Sequence, residues 1–338
     1  MYSPPFQLDR LTNFVLHFAF VLTGVVTTML GPLLPSLSMQ WQLSDAQAGA
    51  LVTVQFISAM AATLLSNRIA ARLGTKRTLV VSLSLMTVGV VGVSSSHWSL
   101  GLMSVCGYGI GLGLIVPTMN LLVAELHPTR RAAALNVLNF AWSFGAISSA
   151  PLITLLLRGV NVTRPLFAIA GLLLLTLLAL WRRNLPVKMA QHPSLDSALP
   201  RSWTNPTVWI VGALAFLYGG TETPLASWIA SYTLRLNESH IEMKAFWAMT
   251  PSLFWAALMG GRLLAPLLFR VRAEGQVILA GLVIASVGMI ALFFAARPFV
   301  LLTSVPLIGL GLAPFFPTTV ALFPRYFDSA AAKVAPFR

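Results

Sequence analysis

The sequence predicts an all-α membrane protein that crosses the bilayer many times. Of its 338 residues, 57% are hydrophobic and 9% are charged, whereas a soluble domain carries about 25% charged residues. Residues 11–44, 78–124, 132–157 and 298–324 contain no Asp, Glu, Lys or Arg. About 20 apolar residues span the hydrocarbon core as a helix, and lipid requires the backbone to pair internally. Each of these runs is therefore expected to be helical.

The apolar runs predict about ten transmembrane helices. Their expected bounds are 12–35, 46–66, 78–95, 98–126, 132–157, 164–182, 207–234, 244–268, 276–296 and 298–324. Pro117 lies within the long run 98–126 and is expected to kink that helix. The polar stretch 184–206 is rich in Pro and Ser and indicates a cytoplasmic linker. It separates an N-terminal six-helix bundle, residues 1–183, from a C-terminal bundle of four helices, residues 207–338.

The distribution of basic residues indicates the orientation in the membrane. With the N-terminus placed in the cytoplasm, 17 of the 22 Lys and Arg residues fall on the cytoplasmic side, as the positive-inside rule requires. The five on the other side are Arg158, Arg164, Arg235, Lys244 and Arg297. We therefore attribute the formal charge of +13 to orientation in a cell membrane, inner or plasma, and expect no nucleic-acid partner.

No motif of an enzyme or a cofactor site is found in the sequence. The single cysteine, Cys106, provides neither a disulfide nor a metal cluster. Residues 107–113, GYGIGLG, superficially match a dinucleotide loop, but no strand precedes them and no acid follows at the required distance. Close helix packing explains these glycines better. We expect no enzymatic activity, no cofactor and no metal.

A repeated pattern relates the two halves of the chain. Residues 67–73, NRIAARL, lie at the end of the second run, and residues 261–267, GRLLAPL, at the end of the eighth. Residues 111–118, GLGLIVPT, correspond to residues 311–318, GLAPFFPT, at an offset of 200. Parallel repeats of this kind build the two bundles of many secondary transporters.

Residues 67–77 resemble the cytoplasmic motif of the major facilitator superfamily, Gly-x-x-x-Asp-Arg-x-Gly-x-Lys/Arg-Lys/Arg. Arg72, Gly74, Lys76 and Arg77 match it, whereas Asn67 and Ala71 replace its first Gly and its Asp.

Three further segments, residues 111–126, 131–136 and 216–222, are similar to the fucose-permease-like sugar symporter group. The two membrane acids of fucose permease itself align with Gly31 and Val116, which excludes coupling through acids at those positions.

The resemblance implies a major-facilitator-type two-bundle fold that transports a small solute by alternating access. Three interpretations stay open: proton-coupled sugar uptake by a symporter, efflux of drugs or other organic solutes, and a non-transporting membrane remnant or interaction protein. The last arises because the superfamily usually has twelve spans, and an eleventh would start near Val334, four residues before the last residue. The C-terminal bundle is thus expected to be incomplete, truncated after the tenth span. The expected partners are a small-molecule solute, protons and the lipid bilayer, for a monomer unless a partner chain supplies the missing helices.

Candidate residues for coupling and substrate contact lie within the spans. Glu222 is the only acid deep in a predicted span, and a charge there needs a partner, a proton or a water-filled cavity. Its role is either proton coupling and solute contact or a structural hydrogen bond between helices. Amides and aromatic rings can orient a hydroxylated solute, although they also serve packing. The further candidates are Asn120, Asn139, Asn136, Gln55, Tyr218, Trp142 and Trp228.

A second candidate set forms a cytoplasmic gate at the inner ends of the spans. Charge pairs there can hold one state of a two-state protein shut. The alternative is simple anchoring of the basic residues at the membrane surface, with an interfacial ion pair at Glu125. The set consists of Asn67, Arg68, Arg72, Gly74, Lys76, Arg77, Glu125, Arg131 and Arg262.

Overall fold

The structure is a computed structural model built mainly of α-helices. It describes residues 9–95, 97–127, 131–157, 159, 161–183, 185, 206–236, 244–268, 274–295 and 298–315. The helices in this part of the chain are α1 Arg10–Thr28, α2 Leu30–Trp41, α3 Asp45–Leu73, α4 Thr75–Gly92, α5 Trp98–Leu126, α6 Arg131–Leu156, α7 Thr163–Trp181, α8 Pro206–Leu236, α9 Lys244–Ala248, α10 Thr250–Leu268, α11 Glu274–Phe293 and α12 Pro298–Leu312.

The chain divides into two compact units, unit 1 (Met1–Ala190) and unit 2 (Gln191–Arg338). In unit 1, α5 packs against α3 and α4, α1 packs against α6 and α7, and α4 packs against α7. In unit 2, α12 packs against α10 and α11, and α8 packs against α9 and α10. The boundary falls within the predicted linker, most of which lies outside the described residues.

The outer surface of these helices suits lipid. Six of the described helices, α1, α3, α5, α6, α7 and α11, are long and apolar enough to cross a membrane. Large apolar side chains project outward from them; Leu155 and Phe293, for example, are each 79% exposed. Soluble proteins rarely expose contiguous apolar surface of this kind, so the chain is embedded in a membrane.

Two predicted spans are each divided into two helices. The run 12–35 contains α1 and the start of α2, with a break at Met29, and the run 244–268 contains α9 and α10, with a break at Met249. A proline follows each break closely, Pro32 in the first case and Pro251 in the second. Because proline has no N–H, the carbonyl four residues earlier loses its helical donor.

Threonine hydroxyls satisfy the carbonyl that Pro251 leaves without its helical donor. Trp247 O accepts a hydrogen bond from Thr250 Oγ1 at 2.8 Å and another from Thr233 Oγ1 at 3.1 Å. An unpaired carbonyl is costly in lipid, so these two hydroxyls make the break between α9 and α10 tolerable. They also join the break to α8, which carries Thr233.

Pro117 is accommodated within a continuous helix. α5 runs from Trp98 to Leu126 without interruption, although the carbonyl of Gly113 has lost its helical donor at Pro117. Thr63 Oγ1 on α3 donates to Gly113 O at 3.1 Å. A neighbouring helix thus replaces the missing bond, which is how membrane helices commonly tolerate proline.

Residues 67–77 fall between the predicted spans 46–66 and 78–95, where a loop is expected, but they are almost entirely helical, so those span bounds are wrong. α3 continues to Leu73 and α4 starts at Thr75, so Gly74 alone connects them. Residues 67–73 contain Ala, Arg and Leu, which favour helix and extend α3. Gly74 adopts φ 84° and ψ 156°, a backbone conformation that is open essentially to glycine only.

The packing of glycines in the two units agrees with the repeat between residues 111–118 and 311–318. It pairs Gly261 with Ala62 instead of with Asn67, because Ala62 contacts Gly113 and Gly261 contacts Ala313. A Cβ atom added to Gly109 on α5 would lie 2.8 Å from Gln55 O on α3. At the offset of 200, a Cβ atom on Gly309 of α12 would lie 2.6 Å from Phe254 O on α10. Small residues let helix backbones approach closely in membranes, and here they do so at matching positions.

A second pair of contacts is related in nearly the same way. A Cβ atom on Gly89 of α4 would lie 2.6 Å from Ser104 O on α5, and one on Gly288 of α11, at an offset of 199, would lie 3.1 Å from Ser304 O on α12. α3, α4 and α5 therefore correspond to α10, α11 and α12. The end of the sequence repeat, residues 316–318, lies outside the described residues.

Candidate functional site

Three polar side chains meet inside unit 2 and are named here the Glu222 cluster: Tyr218, Glu222 and Arg262. Tyr218 and Glu222 lie four residues apart on α8, and Arg262 lies on α10. Arg262 Nη2 donates a hydrogen bond to Tyr218 Oη at 3.2 Å and lies 3.9 Å from Glu222 Oε1. The ring of Tyr218 stacks on the ring of Phe315, with 5.3 Å between centroids.

Helix periodicity and helix packing create this cluster. Residues four apart share one face of a helix, so Tyr218 and Glu222 point in the same direction from α8. α10 packs against that helix and brings Arg262 to the carboxylate. The Glu222 side chain is 16% exposed and the Arg262 side chain 28%. Both charged side chains are thus mostly buried, but each remains partly exposed at the surface of unit 2.

The structure brings together three residues that sequence reasoning placed in two different sets. Glu222 and Tyr218 were predicted for coupling and substrate contact, whereas Arg262 was predicted for the cytoplasmic gate. An acid and a base that both lie inside apolar runs need a partner, and this signal could have paired them. The sequence offers no comparable signal for Phe315.

Open space lies next to the cluster on α8. A Cβ atom added at Gly219 would meet no described atom within 4 Å. Gly219 lies three residues before Glu222 and therefore shares a helix face with it. The cluster thus has room beside it on this helix.

Gln55 occupies a different setting, in the core of unit 1. Its side chain is 1% exposed. Its Nε2 donates to Thr27 O on α1 at 2.8 Å, and its Oε1 accepts from Tyr108 Oη on α5 at 2.7 Å. Both ends of the amide are thus bonded to protein groups, and the residue links α1, α3 and α5.

The three candidate asparagines also lie in unit 1. Asn120 is half-buried on α5 and its Nδ2 donates to Val116 O at 2.9 Å. Asn136 and Asn139 are exposed on α6, where they lie on one face. Asn139 Nδ2 donates to Leu135 O at 2.8 Å. α6 therefore presents polar side chains on its surface.

The two candidate tryptophans are both half-buried. Trp142 lies on α6, where its backbone carbonyl packs against Gly24 of α1. Trp228 lies on α8 six residues after Glu222, a spacing that does not place the two on the same face.

The predicted gate residues of unit 1 lie around two helix junctions. The α3–α4 junction carries Asn67, Arg68, Arg72 and Arg77, which are exposed, and Gly74 and Lys76, which are half-buried. Glu125 is half-buried in the last turn of α5, and Arg131 begins α6 with its side chain outside the described part. Because the two junctions are two helices apart along the chain, they lie at the same end of the bundle.

Sequence reasoning missed one ion pair at the end of unit 1. Arg183 Nη1 lies 3.1 Å from Asp9 Oδ2, and Asp9 caps α1 by accepting a hydrogen bond from the Thr12 N–H at 3.3 Å. The hydrogen bond from Thr12, with a smaller contribution from the Arg183 guanidinium, holds the pKa of Asp9 below its usual value. The pair connects the start of α1 to the end of α7.

Comparison with known proteins shows the family to which this chain belongs. The family model of the Major Facilitator Superfamily matches residues 16–335. An uncharacterised transporter of Bacillus subtilis (strain 168) is 21% identical over 235 residues, which cover 64% of this chain and 58% of the relative. The chain spans little more than half the length of the curated relatives that it matches.

Two solved structures share the fold. A mutant of the nucleoside transporter NupG gives a TM-score of 0.81 at 13% identity, over 96% of this chain and 85% of that one. A variant of the E. coli fucose:proton symporter FucP gives a TM-score of 0.58 at 20% identity, over 91% and 83%. Both the family match and the shared fold agree with the resemblance inferred from the sequence motifs. The chain is therefore a multi-pass membrane protein of the major facilitator superfamily.

Proposed function

We propose that this protein is a secondary active transporter that moves a small solute across the inner or plasma membrane by alternating access, coupled to protons. The Glu222 cluster is the observation that carries the proposal. Among the described helices of unit 2, Glu222 is the only acid apart from Glu274 at the start of α11. A buried ion pair is weak evidence for a stabilising role, whereas ionisable groups within membrane helices typically mark solute and proton pathways.

Protonation of Glu222 supplies the coupling step in this proposal. The ionised carboxylate attracts the Arg262 guanidinium, and a proton on Glu222 removes that attraction. A change in a charge pair shifts the balance between two conformations by as much as the pair differs between them. Proton uptake and release at Glu222 would thus bias the protein between its inward-open and outward-open states.

The topology that we propose has ten spans, a cytoplasmic N-terminus and a cytoplasmic linker, residues 184–206, between bundles 1–183 and 207–338. The ion pair between Asp9 and Arg183 supports it. That pair requires the start of α1 and the end of α7 to lie on one side of the membrane, and six spans between them satisfy this requirement. α1 with α2 forms the first span, and α3 to α7 form the other five.

The proposed solute is hydroxylated and sugar-like, and the proposed direction is uptake. The likeness to a nucleoside transporter and to a fucose:proton symporter supports this choice and does not favour the efflux alternative. Asn120, Asn136 and Asn139 would then contact solute hydroxyls, and the basic residues of the α3–α4 junction would form the cytoplasmic gate.

The test is proton-driven accumulation in proteoliposomes, using solutes that a binding screen on the purified protein selects. Glu222→Gln cannot lose its proton, so it should abolish accumulation against an inward proton gradient while membrane insertion and solute exchange at equal pH persist. Glu274→Gln makes the same chemical change outside the cluster and should leave accumulation intact. Undiminished accumulation by Glu222→Gln would remove the proposed coupling role.

A further inference from the structure

The guanidinium of Arg262 is incompletely satisfied by its neighbours. An arginine side chain has five N–H donors in a fork that matches a carboxylate. One donor is given to Tyr218 Oη. Glu222 Oε1 lies 3.9 Å from Nη2, which is beyond hydrogen-bond range, and the buried Nε has no hydrogen-bond partner among the described residues. The neighbours therefore leave the cation with unused donors, and its side chain, which is 28% exposed, can be reached by a further ligand.

Space for such a ligand lies next to the cluster. The open position at Gly219 shares a face of α8 with Glu222. Because Pro224 has no N–H, the carbonyl of Gly220 on the same helix has lost its helical donor. That carbonyl, two residues before Glu222 along the chain, can accept a hydrogen bond from a hydroxyl group.

The charge balance of the cluster decides which ligand fits. With Glu222 ionised, the charges of Glu222 and Arg262 cancel. With Glu222 protonated, one positive charge stays in a largely buried site, and an unpaired buried charge is strongly unfavourable. A neutral solute would leave that charge uncompensated, whereas a monovalent anion restores neutrality.

Resting on the proposed transport function, we propose that the solute is a small hydroxylated monocarboxylate, such as a sugar acid. Its carboxylate binds the Arg262 fork, and it enters together with a proton on Glu222. Proton and anion then move together without net charge. The groups that face Glu222 are Arg262 from α10 and Tyr218 from its own helix. The described parts of α12 hold no titratable side chain, and the Lys244 side chain of α9 lies outside the described part.

The first experiment measures ligand binding to the purified protein by its thermal stabilisation in detergent. The probes are matched pairs that differ only in the carboxyl group: galacturonate and galactose, gluconate and sorbitol, lactate and propane-1,2-diol. We expect at least one acid to bind at least about tenfold more tightly than its neutral partner, a difference of about 1.4 kcal/mol. An outcome in which no acid binds, or in which a neutral partner binds equally well, overturns the proposal.

Variants assign the binding to Arg262. Arg262→Gln should weaken acid binding more than about tenfold, and Arg262→Lys should restore it only in part because the fork is lost. Arg235→Gln removes the same charge from the last turn of α8, about 20 Å along the helix from Glu222, and should bind like the wild type. If Arg262→Gln bound the acid as tightly as the wild type does, the assignment of the acid's carboxylate to Arg262 would be contradicted.

Two further variants test the proton and the space. Acid binding by the wild type should weaken by up to about tenfold per pH unit as pH rises, because the proton is bound with the anion. Glu222→Gln mimics the protonated form and should bind the acid with little dependence on pH. Gly219→Leu should fold, since a Cβ there meets no described atom within 4 Å, but should lose binding because the side chain would fill the space beside Glu222. A wild type without pH dependence, or full binding by Gly219→Leu, would overturn the proposed site.

Transport by proteoliposomes separates this inference from the function on which it rests. The acid should accumulate with the proton gradient and be insensitive to membrane voltage. If a neutral sugar accumulated, and still did so with Arg262→Gln, the transport function would stand and the proposed anionic substrate would be overturned. If the acid bound through Arg262 but no solute crossed the membrane, anion recognition would stand and the transport function would be overturned.

Discussion

The buried amide of Gln55 in unit 1 finds its partners within the protein. Gln55 bonds to Thr27 and Tyr108 across three helices. Buried polar groups without a partner are costly, and in lipid water cannot replace the missing bond. Gln55 was a candidate for solute contact on its residue type alone. Sequence reasoning could not see its two partners, because they lie 28 and 53 residues away.

Removal of the Tyr108 hydroxyl tests the contribution of this network. Tyr108→Phe leaves the buried Gln55 Oε1 without its donor, and we expect a loss of about 1 to 3 kcal/mol in the free energy of unfolding. The midpoint of thermal unfolding in detergent measures it. Tyr232→Phe is the matched control, because the Tyr232 hydroxyl donates to Leu292 O on a side chain that is 36% exposed. Equal effects of the two substitutions would contradict the role of the network.

Asp9 gives a pH dependence of stability whose sign follows from its lowered pKa. Its contribution should be complete above the unfolded value, which is 3.8, and should disappear as the pH falls through the lower folded value. Asp9→Asn retains a capping side chain and removes only the charge. We expect wild type to be slightly more stable than Asp9→Asn at about pH 7, with the difference vanishing in acid.

The measurement is the unfolding midpoint of both proteins from about pH 3 to about pH 7. When both proteins also carry Arg183→Gln, the difference in midpoint that Asp9→Asn causes should be smaller, because the Arg183 guanidinium no longer stabilises the charge of Asp9. A difference that grows as the pH falls would contradict the sign of the shift. The effect is expected to be small, because exposed ion pairs contribute little.

At the scale of helices, the glycines of α5 face different neighbours. Gly109 and Gly113 contact α3, and Gly111 contacts α4, where an added Cβ would lie 2.7 Å from Ser82 O. A Cβ on Gly107 would meet no described atom within 4 Å. The prediction that the glycines of residues 107–113 serve close helix packing is thus confirmed for Gly109, Gly111 and Gly113. Gly107 provides a control on the same helix.

Gly113→Ala should therefore destabilise the protein more than Gly107→Ala. A Cβ atom at Gly113 would collide with the backbone carbonyl of Ala59, and overpacking of this kind costs about 1 to 3 kcal/mol. Gly107→Ala should be neutral or stabilising, since alanine favours helix. Thermal unfolding in detergent compares the two. A larger loss in Gly107→Ala would show that α5 does not face α3 as described.

The junction of α3 and α4 depends on the conformation of one residue. Gly74→Ala forces a side chain into the φ and ψ values that Gly74 adopts, which costs about 1 to 3 kcal/mol. We expect a lower unfolding midpoint and a lower yield of folded protein. Ala71→Gly, three residues earlier in the exposed last turn of α3, should cost about 1 kcal/mol. Wild-type stability of Gly74→Ala would refute the strain.

At the scale of the whole molecule, much of the fold could be predicted from the sequence because lipid imposes simple requirements. The bounds of α5, α6 and α7 lie within a residue or two of the predicted spans. The breaks near Pro32 and Pro251 were missed because their apolar runs are continuous. Glu222 was found because it is charged, but its pairing with Arg262 depends on how α8 and α10 pack, and periodicity within each helix does not determine that.

The proposed topology can be tested on the intact chain with reporter fusions. Green fluorescent protein fused after Gln191 should fluoresce, because the linker is proposed to be cytoplasmic and the reporter folds there. Alkaline phosphatase fused after Gly159, between α6 and α7, should be active, because it requires the outer side. The positive-inside bias favours this orientation. The opposite pattern at both fusion sites would reverse the orientation, and with it the assignment of the α3–α4 junction to a cytoplasmic gate.

The single-residue connection at Gly74 has a mechanical consequence. A long loop would let two adjacent helices tilt independently, whereas one residue leaves no slack between α3 and α4. Because one residue links them, a tilt of α3 moves the start of α4 with it. For the same reason the α3–α4 junction is a poor place to insert an epitope tag, although it lies among exposed residues.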